Sequence, residues 1–138
     1  MMFSKRIQYK ILLTIGVSLL LGAHIECSAQ SDVINNVKTA MKAGSSKELT
    51  KYFNDMVEMV IEGDPSDYSR TQAEFVLKDF FRKYPPTDFQ YIHQGASKEG
   101  IRYAIGKYTY ETGSFRVLLR AKEIKDGYKV YSIDFTKD

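Results

Sequence analysis

The sequence predicts an α+β fold in which three N-terminal helices pack on a curved, mostly antiparallel sheet. In the first half of the chain apolar residues recur at helical spacing, whereas the second half alternates apolar and polar residues as strands do. Two tight turns divide the second half, at Thr112-Gly113 and Asp126-Gly127, and Asp-Gly is among the strongest hairpin signals. Helices followed by a meander of strands are typical of the α+β class.

The first 29 residues have the three zones of a signal peptide. The basic residues come first and are Lys5, Arg6 and Lys10. Residues 11–23 form an apolar run that is shorter than the ~20 residues of a membrane-spanning helix. Small residues at Cys27 and Ala29 then fit a cleavage site. We therefore expect cleavage near Ala29, a single mature domain over residues 30–138 with no integral membrane segment, and a periplasmic or secreted location.

Cys27 raises the alternative of a lipid-modified cysteine. A lipobox resembles Leu-Ala-Gly before the cysteine, and Glu26 fits that pattern badly, so ordinary cleavage is preferred and lipidation stays open. Cleavage would remove the only cysteine, one of two histidines and three basic residues. The mature domain is then close to neutral, which argues against a nucleic-acid partner.

Apolar periodicity and capping signals predict the helices. The first covers residues 32–43 and is stopped by Gly44. The other two begin with capping boxes, which are Ser45 with Glu48 and Ser69 with Gln72. The third helix ends before Pro85, because proline disfavours helical geometry in the residue that precedes it.

Alternation predicts strands at residues 56–62, 89–94, 101–111, 115–123 and 128–135. Asn54-Asp55 is expected to form a turn. Gly63-Asp64-Pro65-Ser66 is expected to end the first strand. Gly106 lies inside the long strand, and a bulge there is expected because it would bring Tyr103 and Tyr108 to one face.

Several stretches then carry a family resemblance, namely Tyr68-Ser69-Arg70-Thr71-Gln72-Ala73-Glu74, Phe80-Phe81 and Gly106-Lys107-Tyr108. With this order of elements the chain resembles the nuclear-transport-factor-two-like fold, also called cystatin-like. More narrowly, it resembles a family of small exported Bacteroidetes domains of unknown function. The resemblance implies a cone of curved sheet with helices on its concave side, and homodimerisation through the sheet. It carries no catalytic signature.

Composition excludes most catalytic and metal chemistry. Past the leader the chain has one histidine, His93, and no cysteine, whereas a zinc site needs three or four close ligands. It has neither a Gly-x-Ser-x-Gly elbow nor a Gly-rich phosphate loop. We therefore expect no metal and no cofactor.

His93 and Asp134 are weak catalytic candidates. His93 shares strand parity with Phe89 and Tyr91, so it could act as an acid or base beside a pocket; a hydrogen-bonded histidine near a sheet edge is preferred. Relatives of this fold that act as ketosteroid isomerases place a carboxylate base and a tyrosine in the cone. Asp134 could be that base, yet alternation with its apolar neighbours directs it toward solvent.

Two larger groups of side chains suggest binding. Tyrosines at Tyr91, Tyr103, Tyr108 and Tyr110 could line a concave surface for a small apolar or sugar-like ligand, although aromatic residues also fill cores. The basic residues Arg116, Arg120 and Lys122 share parity, with Arg102 as a further member. A solvated outer face is the preferred reading of these basic residues, and an acidic partner the alternative.

The sequence therefore favours an exported, non-enzymatic module that binds a ligand or an envelope protein through the cone or the sheet face. The alternative is a small isomerase- or dehydratase-type enzyme that uses a pocket carboxylate or histidine. An enclosed cavity with a buried carboxylate near a tyrosine would favour the enzyme, whereas a cavity filled by side chains would exclude it. A homodimer is a further expectation.

Overall fold

A computed structural model describes residues 29–125 and 127–138, so the predicted leader before Ala29 and the turn residue Asp126 lie outside the described residues. Three helices and six strands follow in chain order: α1 (Ala29–Ala43), α2 (Ser46–Thr50), β1 (Phe53–Ile61), β2 (Asp64–Ser69), α3 (Arg70–Lys83), β3 (Pro86–Ala96), β4 (Arg102–Tyr110), β5 (Gly113–Ile124) and β6 (Gly127–Lys137). The predicted α+β class is confirmed. The helices are not consecutive, however, because the β1–β2 pair separates α2 from α3.

The six strands form one mixed, curved sheet in the order β2-β1-β6-β5-β4-β3. Neighbouring strands are antiparallel except β1 and β6, which run parallel. The parallel pair requires a long crossover, and the chain from α3 to β5 provides it. The first strand of the domain therefore lies beside the last, near the middle of the sheet.

The prediction that residues 63–66 only interrupt the strands is wrong, because Asp64–Ser69 forms strand β2. The turn lies at Glu62-Gly63, both with positive φ (51° and 84°), and Asp64–Ser69 then pairs with β1. Pro65 is compatible with this strand because β2 is at the edge of the sheet, where a missing N–H leaves no unpaired partner. Asn54-Asp55 likewise lies within β1 instead of forming a turn, next to an irregularity in its register with β6.

The predicted capping of α3 is confirmed in full. The Ser69 hydroxyl accepts a hydrogen bond from the Gln72 N–H (3.2 Å), and the Gln72 side chain accepts one from the Ser69 N–H (3.0 Å). At α2 the Ser45 hydroxyl accepts from the Glu48 N–H (3.2 Å). Gly44 follows α1 with φ +61°, as the stop signal predicts.

The helices cover one face of the sheet, and an aromatic cluster fills the space between them. Phe80 of α3 lies at the centre, with ring centroids 4.5 to 5.5 Å from four neighbours, Tyr84, Tyr108, Phe115 and Phe135. The largest side chains with no exposed surface include Tyr108, Phe53, Phe89, Phe115 and Phe135. Side chains thus occupy the helix-facing side of the sheet, where the resemblance implied the inside of a cone.

The bulge predicted at Gly106 is wrong in its position. β4 pairs with β5 without interruption from Arg102 to Tyr110, whereas β3 carries an extra residue, Ile92, between the pairs Tyr91–Gly106 and His93–Ile105. Gly106 stays on the helix-facing side beneath the Phe89 ring, where a Cβ would lie 2.6 Å from Phe89 Cζ. The regular β4 strand therefore keeps alternate residues on opposite faces of the sheet.

Candidate functional site

The face of the sheet turned away from the helices, here called the open face, is the candidate site. The row across its middle runs from β1 to β4 through residues that pair in register: Val60, Asp134, Leu118 and Ile105. The three apolar members of this row are half-buried, although none of the helices in the described part of the chain covers them. A shallow depression of about 300 Å³ lies over the row and is lined by Ile105, Arg116, Leu118, Asp134 and Thr136.

Most charges on the open face are separated by sign. Glu58, Asp67 and Asp134 lie on β1, β2 and β6 and form what we call the acidic half, whereas Lys107, Arg116 and Arg120 lie on β4 and β5 and form the basic half. Lys122 of β5 pairs with Lys129 of β6, so one basic side chain also lies beside the acidic strands. Among the six residues of the two halves, like charges face each other in two register pairs, Glu58 with Asp67 and Lys107 with Arg116. Such pairs are destabilising in an isolated sheet. None of these six side chains takes part in an ion pair with another described residue.

His93 lies on the open face, which corrects the predicted parity. The extra residue Ile92 reverses the alternation, so that His93 pairs with Ile105 while Tyr91 remains on the helix-facing side. His93 is exposed, and its Nε2 is 3.3 Å from the Tyr103 hydroxyl. The hydrogen-bonded histidine near a sheet edge is the arrangement found.

Asp134 also lies on the open face, as strand alternation predicts. Its carboxylate accepts a hydrogen bond from the Thr136 hydroxyl (2.9 Å). Asp134 and His93 belong to β6 and β3, which are three strand intervals apart in the sheet, or roughly 14 Å. The two catalytic candidates therefore do not meet, and Tyr108 lies on the face of the sheet opposite to Asp134.

The four predicted ligand-binding tyrosines do not form one surface. Tyr103 lies on the open face, whereas Tyr91, Tyr108 and Tyr110 point toward the helices. The Tyr91 hydroxyl donates to the Ile34 carbonyl (2.7 Å), and the Tyr108 hydroxyl donates to the Tyr84 carbonyl. Burial raises the pKa of both hydroxyls, which keeps them neutral donors. Ligand binding by this group stays a prediction.

The basic residues predicted to share one face of the sheet do so on the open face, with the exception of Arg102. Arg116, Arg120 and Lys122 all lie on the open face, the last with its Nζ 5.2 Å from the Tyr131 ring centroid. Arg102 instead pairs with the buried Ala121 on the helix-facing side. Its guanidinium lies 5.8 Å from the Tyr128 ring centroid, and its Nε is enclosed with no hydrogen-bond partner among the described residues.

A second polar cluster, which the sequence did not reveal, joins three elements at one end of the sheet. The Glu62 carboxylate accepts hydrogen bonds from the Tyr84 hydroxyl (3.0 Å) and from Lys137 Nζ (3.2 Å). The hydrogen bond from Lys137 is the main cause that lowers the pKa of Glu62, and the same bond raises the pKa of Lys137. Glu62 holds this position at φ +51°, in the left-handed region. The sequence feature that could have indicated this cluster is the Glu62-Gly63 pair between β1 and β2.

Within residues 29–125 and 127–138, no group of three His, Cys, Asp or Glu side chains is placed to hold a metal ion. No helix in the same part of the chain is long and apolar enough to cross a membrane.

Comparisons with known proteins agree with the sequence resemblance. The family model described as a domain of unknown function, DUF4783, matches residues 34–136. A crystal structure of a DUF4783 family protein from Bacteroides ovatus is 33% identical, with a TM-score of 0.71 over 75% of this chain and 93% of that chain. No curated protein matches the chain.

Two more distant crystal structures are similar in fold alone. An NTF-2-like protein of unknown function from Silicibacter pomeroyi is 15% identical, with a TM-score of 0.57 over 80% of this chain and 93% of that chain. A domain with a cystatin-like fold from Nostoc punctiforme is 10% identical, with a TM-score of 0.62 over 82% and 80% of the two chains. The predicted nuclear-transport-factor-two-like, cystatin-like fold is confirmed.

Proposed function

Because the chain belongs to the DUF4783 family, whose description assigns no activity, we propose from its own geometry that it is a non-enzymatic binding module of the cell envelope. It acts through the open face of its sheet. One observation carries this proposal: the half-buried apolar row Val60, Leu118 and Ile105 crosses the open face, with no described helix over it and with charged side chains of both signs beside it. Apolar centres with a charged surround are typical of protein-binding surfaces.

The filled interior supports the open face over the helix-facing side. Tyr108, Phe115 and Phe135 have no exposed surface, and the Phe80 ring closes the space above them. A small apolar or sugar-like ligand would have to displace these rings. Displacing the rings would lose their close packing and would leave the Tyr108 hydroxyl without its hydrogen bond to the Tyr84 carbonyl. The interior is therefore poorly suited to a ligand.

The alternative of an isomerase- or dehydratase-type enzyme has less support. It needs a carboxylate and a donor that converge in a site shielded from water. Asp134 lies instead on the open face, half-buried in a shallow depression, with His93 three strands away. Neither residue has the other within reach of a shared substrate atom.

The partner that fits the open face is a second copy of this chain. A twofold-symmetric interface uses the same patch on both subunits, so the patch must be complementary to itself. The open face meets this condition because one surface carries the apolar row and both signs of charge. A partner of one sign would satisfy only half of the six unpaired charges.

Substitution of Leu118 by glutamate tests the proposal. Leu118 lies at the centre of the row, so a buried carboxylate there should raise the dimer dissociation constant by roughly thirtyfold or more, the effect of losing an interface hot spot. The measurement is molar mass by light scattering over a range of concentrations. Phe75→Glu is the matched control, since Phe75 is 66% exposed on α3, away from the open face.

The proposal expects dimers for the unsubstituted chain and for Phe75→Glu, and monomers for Leu118→Glu. Circular dichroism should show that all three chains are folded. Dimers of equal stability in all three would show that the open face is not the binding surface.

A further inference from the structure

We infer that the shallow depression on the open face binds a small zwitterion with an apolar side chain, of the chemical class of a hydrophobic α-amino acid. The depression has a volume of about 300 Å³, at the small end of the ~300–1,000 Å³ range of ligand sites. Its lining carries a carboxylate, a guanidinium and a hydroxyl beside two apolar side chains. This binding goes beyond the self-association proposed above and does not depend on it, although both use the open face.

The strand register arranges the lining residues as a grid. Asp134 and Thr136 of β6 pair with Leu118 and Arg116 of β5. Ile105 of β4 pairs with Leu118 on the other side of β5. Asp134 and Arg116 are therefore diagonal neighbours, whose Cβ atoms lie roughly 7 Å apart in a regular sheet. No ion pair joins these two described residues, so the space between them can take a ligand that contacts both charges.

The ammonium group of the ligand fits against Asp134. The Thr136 hydroxyl donates to one oxygen of the Asp134 carboxylate (2.9 Å), and the second carboxylate oxygen can accept from a ligand. Because the Thr136 hydrogen is used in this bond, the lone pairs of its oxygen can accept as well. This corner of the grid therefore offers acceptors and a negative charge, which favour a cationic donor.

The carboxylate of the ligand fits over Arg116 and Lys107. These two cations pair directly in the register of β4 and β5, where like charges repel. A carboxylate placed over the pair turns the repulsion into attraction, and a guanidinium can bind it through two parallel hydrogen bonds. Arg120, the other diagonal neighbour of Asp134, instead donates to the Ser132 hydroxyl (3.3 Å) and does not line the depression. Arg116 is therefore the guanidinium that the ligand meets.

The apolar floor of the depression determines the side chain of the ligand. Leu118 and Ile105 pair across β5 and β4 and are half-buried, so the floor extends from the charged corners toward β3. An aliphatic side chain laid on this floor removes apolar surface from water on both molecules. A purely apolar ligand fits less well, because Asp134 and Arg116 would lose water without gaining a partner. A hydrophobic amino acid supplies all three contacts.

Ligand-observed nuclear magnetic resonance tests the site with three probes of similar shape. L-leucine carries both charges, 4-methylpentanoate lacks the ammonium group, and 3-methylbutylamine lacks the carboxylate. The chain is kept dilute, so that self-association leaves the open face uncovered. We expect L-leucine to bind at least about tenfold more tightly than either analogue, because each analogue lacks one set of charge-assisted hydrogen bonds.

Substitutions assign each charge of the ligand to its corner of the grid. Asp134→Asn should remove most of the preference for L-leucine over 4-methylpentanoate. Arg116→Gln should remove most of the preference over 3-methylbutylamine. Asp67→Asn and Arg120→Gln make the same chemical changes on the open face outside the depression and should keep both preferences. A general loss of folding would weaken the binding of all three probes alike.

Equal or tighter binding of either analogue, or no saturable binding of L-leucine up to about 10 mM, would overturn the ligand site. Loss of both preferences in the two control variants would overturn it as well. Light scattering of more concentrated samples reads self-association separately. A chain that forms dimers but binds no L-leucine contradicts the ligand site alone, and a monomeric chain that binds L-leucine contradicts the self-association alone.

Discussion

At the scale of single residues, Gly106 shows why the sheet tolerates no side chain at one point. A Cβ there would lie 2.6 Å from Phe89 Cζ and 3.2 Å from the carbonyl oxygen of Gln90. The Phe89 ring takes the place that a side chain on Gly106 would occupy, which is how an aromatic residue protects a glycine in a sheet. The glycine is needed for this close approach and not for a bulge.

Gly106→Ala should therefore destabilise the fold by roughly 1–3 kcal/mol, the cost of overpacking a core. The free energy of unfolding in urea measures the effect. The same substitution in a Phe89→Ala background should cost much less, because the ring that the methyl group meets is gone. An equal cost in both backgrounds would contradict the assigned contact.

Glu62 gives the chain a predicted sensitivity to acid. Hydrogen bonds from Lys137 and Tyr84 hold the pKa of Glu62 below its usual value of 4.5 in the folded chain. A lowered folded pKa means that the stabilisation is present above the unfolded pKa and is lost as the pH falls through the folded one. Protonation of this carboxyl weakens the hydrogen bonds that connect the β1–β2 turn to the end of α3 and to β6.

Glu62→Gln should be less stable than the unsubstituted chain near pH 7, and the difference should disappear as the pH falls through the lowered pKa of Glu62 in the folded chain. Urea denaturation at several pH values measures it. Glu111→Gln changes an exposed glutamate outside the cluster and should leave the pH dependence unaltered. If Glu62→Gln lowers the free energy of unfolding equally at every pH, the charge of Glu62 does not contribute to these hydrogen bonds.

At the scale of elements, helix ends were predictable because their signals are local. Ser69 and Gln72 satisfy each other's backbone N–H groups without reference to the rest of the chain. Strand faces were predictable only where pairing is regular. Asp134 follows simple alternation, whereas one extra residue at Ile92 reverses the face of His93, and nothing in the sequence around Ile92 marks the bulge.

Strand β2 was missed because its composition is that of a turn. Asp-Pro-Ser is unfavourable in a central strand but acceptable at an edge, where only one side of the strand must pair. The charge separation on the open face was also hidden. It depends on the strand order β2-β1-β6-β5-β4-β3, which places residues far apart in sequence side by side.

Loss of the Ser69 cap should weaken the fold through α3. Ser69→Ala removes the acceptor for the Gln72 N–H and should lower the free energy of unfolding by about 1 kcal/mol. Ser66→Ala, in the neighbouring edge strand β2, is the control with the same chemical change. Equal small effects from both would indicate that tertiary packing alone sets the start of α3.

At the scale of the whole molecule, the two faces of the sheet differ in how they are covered. The helix-facing side is filled by aromatic rings and supplies stability, since residues 29–138 contain no cysteine that could form a disulfide. Among residues 29–125 and 127–138, no helix covers the open face, its apolar row is half-buried, and the six charges of its two halves form no ion pair. Binding through this face is therefore the function we propose.

The molar mass of the unsubstituted chain in solution, measured by light scattering as concentration is raised, tests this account most directly. Self-association through the open face predicts a mass that rises to twice the chain mass and returns to that of one chain in the Leu118→Glu variant. A single-chain mass that persists to millimolar concentration, about the weakest affinity at which a specific interface is useful, would contradict it.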